Sequence, residues 1–189
     1  MPFIRSSATD QNPWRGAVIG LAAGIAGTVA MGGYWSIATR LTGSDPRAAT
    51  REGGPHALED ISLIGTHHGD DESTTAAMGR IAYTRLGGKP PEAEETASTL
   101  SYLVHYGYGA TQGGCYGALT DGKDVSIVAG GLAFGTGLWI GGDELAGSLL
   151  GLAAGPGAFP VAQHLHRWGA HLTYGVAVAL VTRLLRALV

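Results

Sequence analysis

Charge is scarce in this 189-residue chain. Asp, Glu, Lys and Arg together make up 14% of it, where soluble domains carry about 25%. What charge there is clusters: ten of the fifteen acidic residues lie between Asp45 and Glu95. The net charge of −3, with no basic stripe and no Lys/Arg cluster interleaved with aromatics, excludes a nucleic-acid partner. The single cysteine, Cys115, excludes an internal disulfide and a multi-cysteine zinc site. It lies in an apolar run and reads as a small packing residue. Nucleophile-elbow, phosphate-loop and zinc-protease motifs are missing too, so the residues favour a non-enzymatic module.

The missing charge leaves four long bare runs. Between Arg15 and Arg40 stand 24 residues without Asp, Glu, Lys or Arg, between Glu95 and Asp121 another 25, and between Asp124 and Asp143 another 18. A fourth, of 15 residues, runs from Trp168 to Thr182, with Arg167, Arg183 and Arg186 placed to snorkel from its ends. A membrane-crossing helix needs about 20 mostly apolar residues. Trp14, Trp35, Trp139 and Trp168 stand near the run ends, as interfacial aromatics do. The expectation is an all-α integral membrane bundle of about four transmembrane helices, spanning about 14–39, 99–119, 125–142 and 164–188, with one polar extramembrane insertion at 41–98. Lipid is then the main partner, with self-association or membership of a larger membrane complex open. Within the insertion, "GDDESTTAAMGRIAYTRL" reads as an acidic turn opening an amphipathic helix whose Met78, Ile81, Ala82 and Leu86 face the membrane surface or the bundle.

Glycine is abundant, at 32 residues, and it is phased. Gly16, Gly20 and Gly24 repeat every fourth residue, as do Gly109, Gly113 and Gly117, and Gly131 and Gly135. Gly175 and Ala179 continue the spacing from His171. Small residues at this interval let helix backbones approach closely in lipid. In water the same glycines would each weaken a helix by about 1 kcal/mol.

Arg5, Arg15, Lys123, Arg183 and Arg186 fall on one side if both termini are cytoplasmic, which is the orientation the positive-inside rule selects. That orientation aligns two five-residue frames. "LVHYGYGATQGGCYGAL" and "HLTYGVAVAL" each contain His-x-x-Tyr-Gly: His105, Tyr108 and Gly109, then His171, Tyr174 and Gly175. Both enter from the outer side, and both histidines lie about 10 Å or less along their helices. Asp143 and Glu144 end the third span on that side. The residues expected to form an outer ligand or proton site are His105, Tyr108, Asp143, Glu144, His171 and Tyr174. The repeated frame also raises two related helix pairs, spans one–two and three–four.

Three chemistries are open to such a cluster. Ionisable groups inside spans usually face a bundle interior or a watery cavity, so the histidines suit a proton-responsive transport or sensing site. Two histidines at one depth also suit haem or a chlorin between helices, although no Cys-x-x-Cys-His attachment motif occurs. A metal enzyme would draw on "HHGDDE" at 67–72 and on His164 with His166, which share a face only on extended chain.

The glycine-rich "GLAAGIAGTVAM", with "HYGYGATQGGCYGAL", "GGLAFGTGLWIGGDEL" and "HLTYGVAVAL", resembles the YagU-like inner-membrane proteins, a bacterial family of unknown biochemical function. The resemblance covers the spans and leaves the 41–98 segment unmatched. It implies a small multi-pass protein of the bacterial inner membrane associated with acid tolerance, and it supplies no catalytic residues.

Overall fold

A computed structural model of the chain describes residues 11–48, 58–70 and 72–188. Arg5, part of the 41–98 insertion and Asp71 of "HHGDDE" lie outside the described residues. Among those residues every regular element is helical: α1 (Pro13–Thr42), α2 (Thr74–Gly87), α3 (Glu94–Thr120), α4 (Ile127–Leu138), a π-helical segment (Trp139–Ala146), the single turn α5 (Gly147–Leu149) and α6 (Val161–Arg186). Two short 3-10 turns, Pro46–Ala48 and Pro156–Ala158, complete the set. The charge-free runs therefore are helices, with α3 starting five residues ahead of the expected 99.

Local chemistry sets the boundaries. The Asn12 side chain accepts a hydrogen bond from the Arg15 amide at 3.1 Å, and Pro13 takes the first turn of α1, where its missing N–H costs nothing. Gly43 closes that helix in the left-handed region, φ 77°. Ser73 caps α2 and Ser126 caps α4, each at 3.2 Å, removing one orphan donor apiece. Glu94 and Glu95 sit in the first turn of α3, where carboxylates complement the helix dipole.

The phased glycines are the helix contacts. A Cβ on Gly16, Gly20 or Gly24 would strike the carbonyls of Gly117, Gly113 and Gly109 in turn, so α1 and α3 run antiparallel in backbone contact. On the other side, Gly131 meets Val176 and the Gly175 carbonyl, and Gly135 meets the His171 carbonyl. The bundle is thus two glycine-zipped pairs, α1 with α3 and α4 with α6. They join where Gly27 of α1 fits against Tyr174 and Val178 of α6. Tyr116, Phe134 and Tyr174 fill the gap between α3 and α4, with ring centroids 4.8 and 6.0 Å apart.

Size sorts the side chains unusually. Among the described residues, the buried apolar ones are five alanines with Met31, Tyr116, Tyr174 and Val178, and none is Leu, Ile or Phe. Leu21, Ile25, Val29, Leu119, Val128, Leu132, Leu180 and Leu184 point outward and are exposed. By length and composition, α1 is the helix among the described residues long and apolar enough to cross a membrane. The other runs fall short of that standard for visible reasons. His, Gln and Tyr dilute α3 and α6, and α4 gives way to the π segment after 12 residues.

The insertion docks at the end formed by the C-terminus of α1 and the N-termini of α3 and α6. Gln163 Nε2 donates to the Arg47 carbonyl at 2.8 Å. The Leu63 and His67 amides bond the Leu149 and Gly151 carbonyls at 2.9 and 2.8 Å. Helix α2 is present as expected, and of the two alternatives for its apolar face the contacts leave the outward one. It meets α3 through small groups, Gly79 against Leu100 and Thr75 against Ser101 at 2.9 Å, with Ala77 fully buried. Met78 and Leu86 are exposed; the close approach that Gly79 permits leaves no room for them at the contact. Cys115 is corrected. It is exposed on α3, because Gly113 and Gly117 occupy the face that touches α1.

Candidate functional site

The site begins with the π segment. In it the Gly147 amide reaches back five residues to the Gly142 carbonyl, one residue more than an α-turn. Gly141 and Gly142 lie within the widened turn, and Trp139 packs on Trp168 of α6 with ring centroids 6.1 Å apart. The Trp168 indole N–H in turn donates to Thr136 Oγ1 at 3.0 Å. These contacts fasten the segment to α6, and π turns recur at functional sites.

Two consecutive carboxylates leave the turn toward α6. Glu144 Oε1 stands 2.7 Å from His164 Nδ1, and Asp143 Oδ1 stands 3.8 Å from His171 Nε2. His164 and His171 are seven residues apart and so share a face of α6. Both imidazoles are mostly buried, at 19% and 13% side-chain exposure, which shields the pairs from bulk solvent. The remaining ring nitrogens find backbone carbonyls: His164 Nε2 with Pro156 at 3.0 Å and His171 Nδ1 with Arg167 at 2.9 Å. His164 therefore bridges a carboxylate and a carbonyl, while Asp143 lies only within ion-pair distance of His171. Protonation makes both nitrogens of an imidazole donors and makes the Glu144 contact charge-assisted.

Asp143, Glu144 and His171 meet here, and the Tyr108 hydroxyl lies beside Gly142 of the π turn. His105, whose ring lies against Tyr106, makes no hydrogen bond or ion pair among the described residues. Tyr174 turns away. It is 3% exposed, and its hydroxyl donates to the Gly109 carbonyl at 2.6 Å, so it is a core bridge between α6 and α3. Gly109 draws it there, since no side chain on that residue blocks the hydroxyl's approach.

His164 and His166 part company because the segment is helical rather than extended. Two residues apart on α6, they point about 200° apart. His166 Nδ1 meets the Tyr34 hydroxyl at 3.2 Å, while His164 joins Glu144. No group of three or more His, Cys, Asp or Glu able to hold a metal occurs among the described residues. Haem ligation by His105 and His171 would have to displace Arg167 or Asp143 from the His171 ring.

Sequence reasoning missed His164 as the partner of Glu144 and Tyr34 as the partner of His166. The first had a signal: His164 and His171 are spaced as two helical turns. The second had none, since 132 positions separate Tyr34 from His166. Comparison with family models, with curated proteins and with solved structures gives no match to this chain.

Proposed function

We propose that this chain is a small multi-pass protein of the bacterial inner membrane, and that its histidine–carboxylate cluster is a proton-responsive element of a transport or sensing module. The membrane half of the reading rests on the size sorting. A water-soluble bundle buries its leucines and isoleucines; here glycine and alanine are inside and the large aliphatics outside. Backbone contact through small residues with bulky groups facing outward is how helices pack in lipid. In this reading α1, α3, α4 with its π segment, and α6 each cross the bilayer, and the insertion and the cluster share one face.

The observation that carries the functional half is the doubled pair, Glu144–His164 and Asp143–His171, presented by one π turn. Histidine is the side chain suited to proton exchange near neutral pH, and here two of them stand beside carboxylates. The neutral and charged states differ in how tightly the π turn is drawn to α6. Such a difference couples proton uptake to helix position.

Topology and response are tested separately. In a Cys115→Ser background, Leu63→Cys and Lys123→Cys should react with an impermeant maleimide from opposite faces of sealed vesicles. Labelling of both from one face would end the four-span reading. For the response, Trp139 and Trp168 are built-in reporters. Their emission should change between about pH 5 and 7, and a His164→Gln, His171→Gln double variant should be flat over that range. A variant that titrates like the parent would reduce the histidines to structural links.

A further inference from the structure

The opposite end of the bundle holds a cavity of about 390 Å³, walled by the start of α1, the α3–α4 turn and the last turns of α6. Four basic residues line it, Arg15, Lys123, Arg183 and Arg186, against two acids, Asp121 and Asp124, an excess of two positive charges. Asp121 is held from within by Oδ2, while its Oδ1 has arginines near it but no hydrogen bond. Its side chain is 1% exposed, accepts the Asn12 amide at 2.8 Å, and lies 3.6 Å from Arg186 Nε and 3.7 Å from Arg15. Arg186 is likewise committed, donating to the Gly117 and Thr120 carbonyls at 2.6 and 3.1 Å. These two form the floor.

The rim is different. Arg15 and Arg183 are about half exposed, at 46% and 60%, and among the described residues Arg183 pairs with the solvated Asp124 alone, at 3.9 Å. Lys123 is exposed in the turn. In the wall, Thr182 is 1% exposed and its hydroxyl has no hydrogen-bond partner, although buried hydroxyls are almost always bonded. An anion with several acceptor oxygens matches the cationic rim and the cavity together.

We propose that this cavity binds a phosphoryl group, carried by an anionic lipid headgroup or by a small soluble phosphate. Guanidinium and ammonium groups converging on a concave site match a tetrahedral oxyanion. Basic pockets between helices on the cytoplasmic side of membrane proteins hold such headgroups. The lipid source rests on the membrane reading above; the phosphoryl site itself does not.

The test uses the purified full chain in neutral detergent and follows its melting temperature. The probes are phosphatidylglycerol, with phosphatidylcholine as the neutral control, and inorganic phosphate against chloride at matched ionic strength. Phosphatidylglycerol should raise the melting temperature. Lys123→Gln with Arg183→Gln should weaken that response about tenfold, and Asp124→Asn should strengthen it. Stabilisation by inorganic phosphate with the same dependence on the variants establishes the site with a soluble source, whatever becomes of the membrane reading. No response to either probe overturns the proposal. So does an equal loss in the remote Arg40→Gln, Arg85→Gln variant, which shows diffuse charge attraction instead. Because Lys123 and Arg183 are exposed, the unliganded variants should melt with the parent, which checks their fold.

Discussion

Two segments of this molecule share the frame His-x-x-Tyr-Gly and put it to different use. In α3 the tyrosine, Tyr108, is 42% exposed and leans over the π turn; in α6 its counterpart, Tyr174, is 3% exposed and ties two helices together. His171 has a carboxylate 3.8 Å away, whereas no ion pair involves His105 among the described residues. Only the glycines behave alike, each lying against another helix's backbone or its Thr28 side chain. A short repeat in a helix therefore fixes which face is small, and the neighbouring helix decides what the larger residues do.

The largest effects should come from what the frames share. Gly109→Leu and Gly175→Leu each drive a side chain into a packed helix and should cost about 3 kcal/mol or more, read as loss of the folded species on melting in detergent. Gly107→Leu, two residues from the first frame glycine, faces open space and should stay within about 0.5 kcal/mol of the parent. Similar losses at all three positions would break the zipper account.

The tyrosines should separate next. Tyr174→Phe removes a buried hydroxyl donor and should lower stability by about 1 kcal/mol; Tyr108→Phe should leave the melting curve in place. For the histidines, His171→Gln should remove more of the pH-dependent tryptophan signal than His105→Gln, since only His171 has a carboxylate in reach. The reverse order would move the centre of the site to α3.

The smallest effect lies outside both frames, in the insertion. Arg80, 2.8 Å from Glu72, holds the Glu72 carboxyl below the usual carboxylate range. A carboxyl lowered on folding adds stability above its unfolded pKa, near 4.3. That contribution disappears as pH falls through the lower folded value. The pair is partly exposed, so Glu72→Gln should cost less than about 1 kcal/mol at pH 7. The difference from the parent should vanish in acid, leaving the response between pH 5 and 7 untouched. A change in that response would assign it to the insertion.

Much of the helical layout can be read from the residues themselves. The missing charges mark where α1, α3, α4 and α6 run, and four-residue glycine spacing marks the faces that touch. Which faces touch each other is not local information. Gly20 is matched to Gly113 by the packing of whole helices. Cys115 was misplaced because an apolar residue beside a glycine contact is turned outward by the very closeness that glycine allows. The site was legible in composition and illegible in pairing. Asp143, Glu144, His105 and His171 are conspicuous in bare runs. The π turn that aims the carboxylates leaves no mark beyond Gly141-Gly142, and Tyr174 is diverted by a carbonyl 65 positions away.

The π turn also makes the cluster depend on a count rather than on a composition. One surplus residue in the turn sets the angular phase of everything after it, and each α-helical residue is worth about 100° of rotation. Deleting Gly141, where even an added Cβ would meet open space, would therefore do more to the carboxylates than most substitutions of their neighbours. A regular α-turn would close in place of the wide one, and Asp143 and Glu144 would swing by about a quarter-circle off the face of α6 with no acidic group lost. Mass and charge would be almost those of the parent, and what the deletion removed would be the chain's aim.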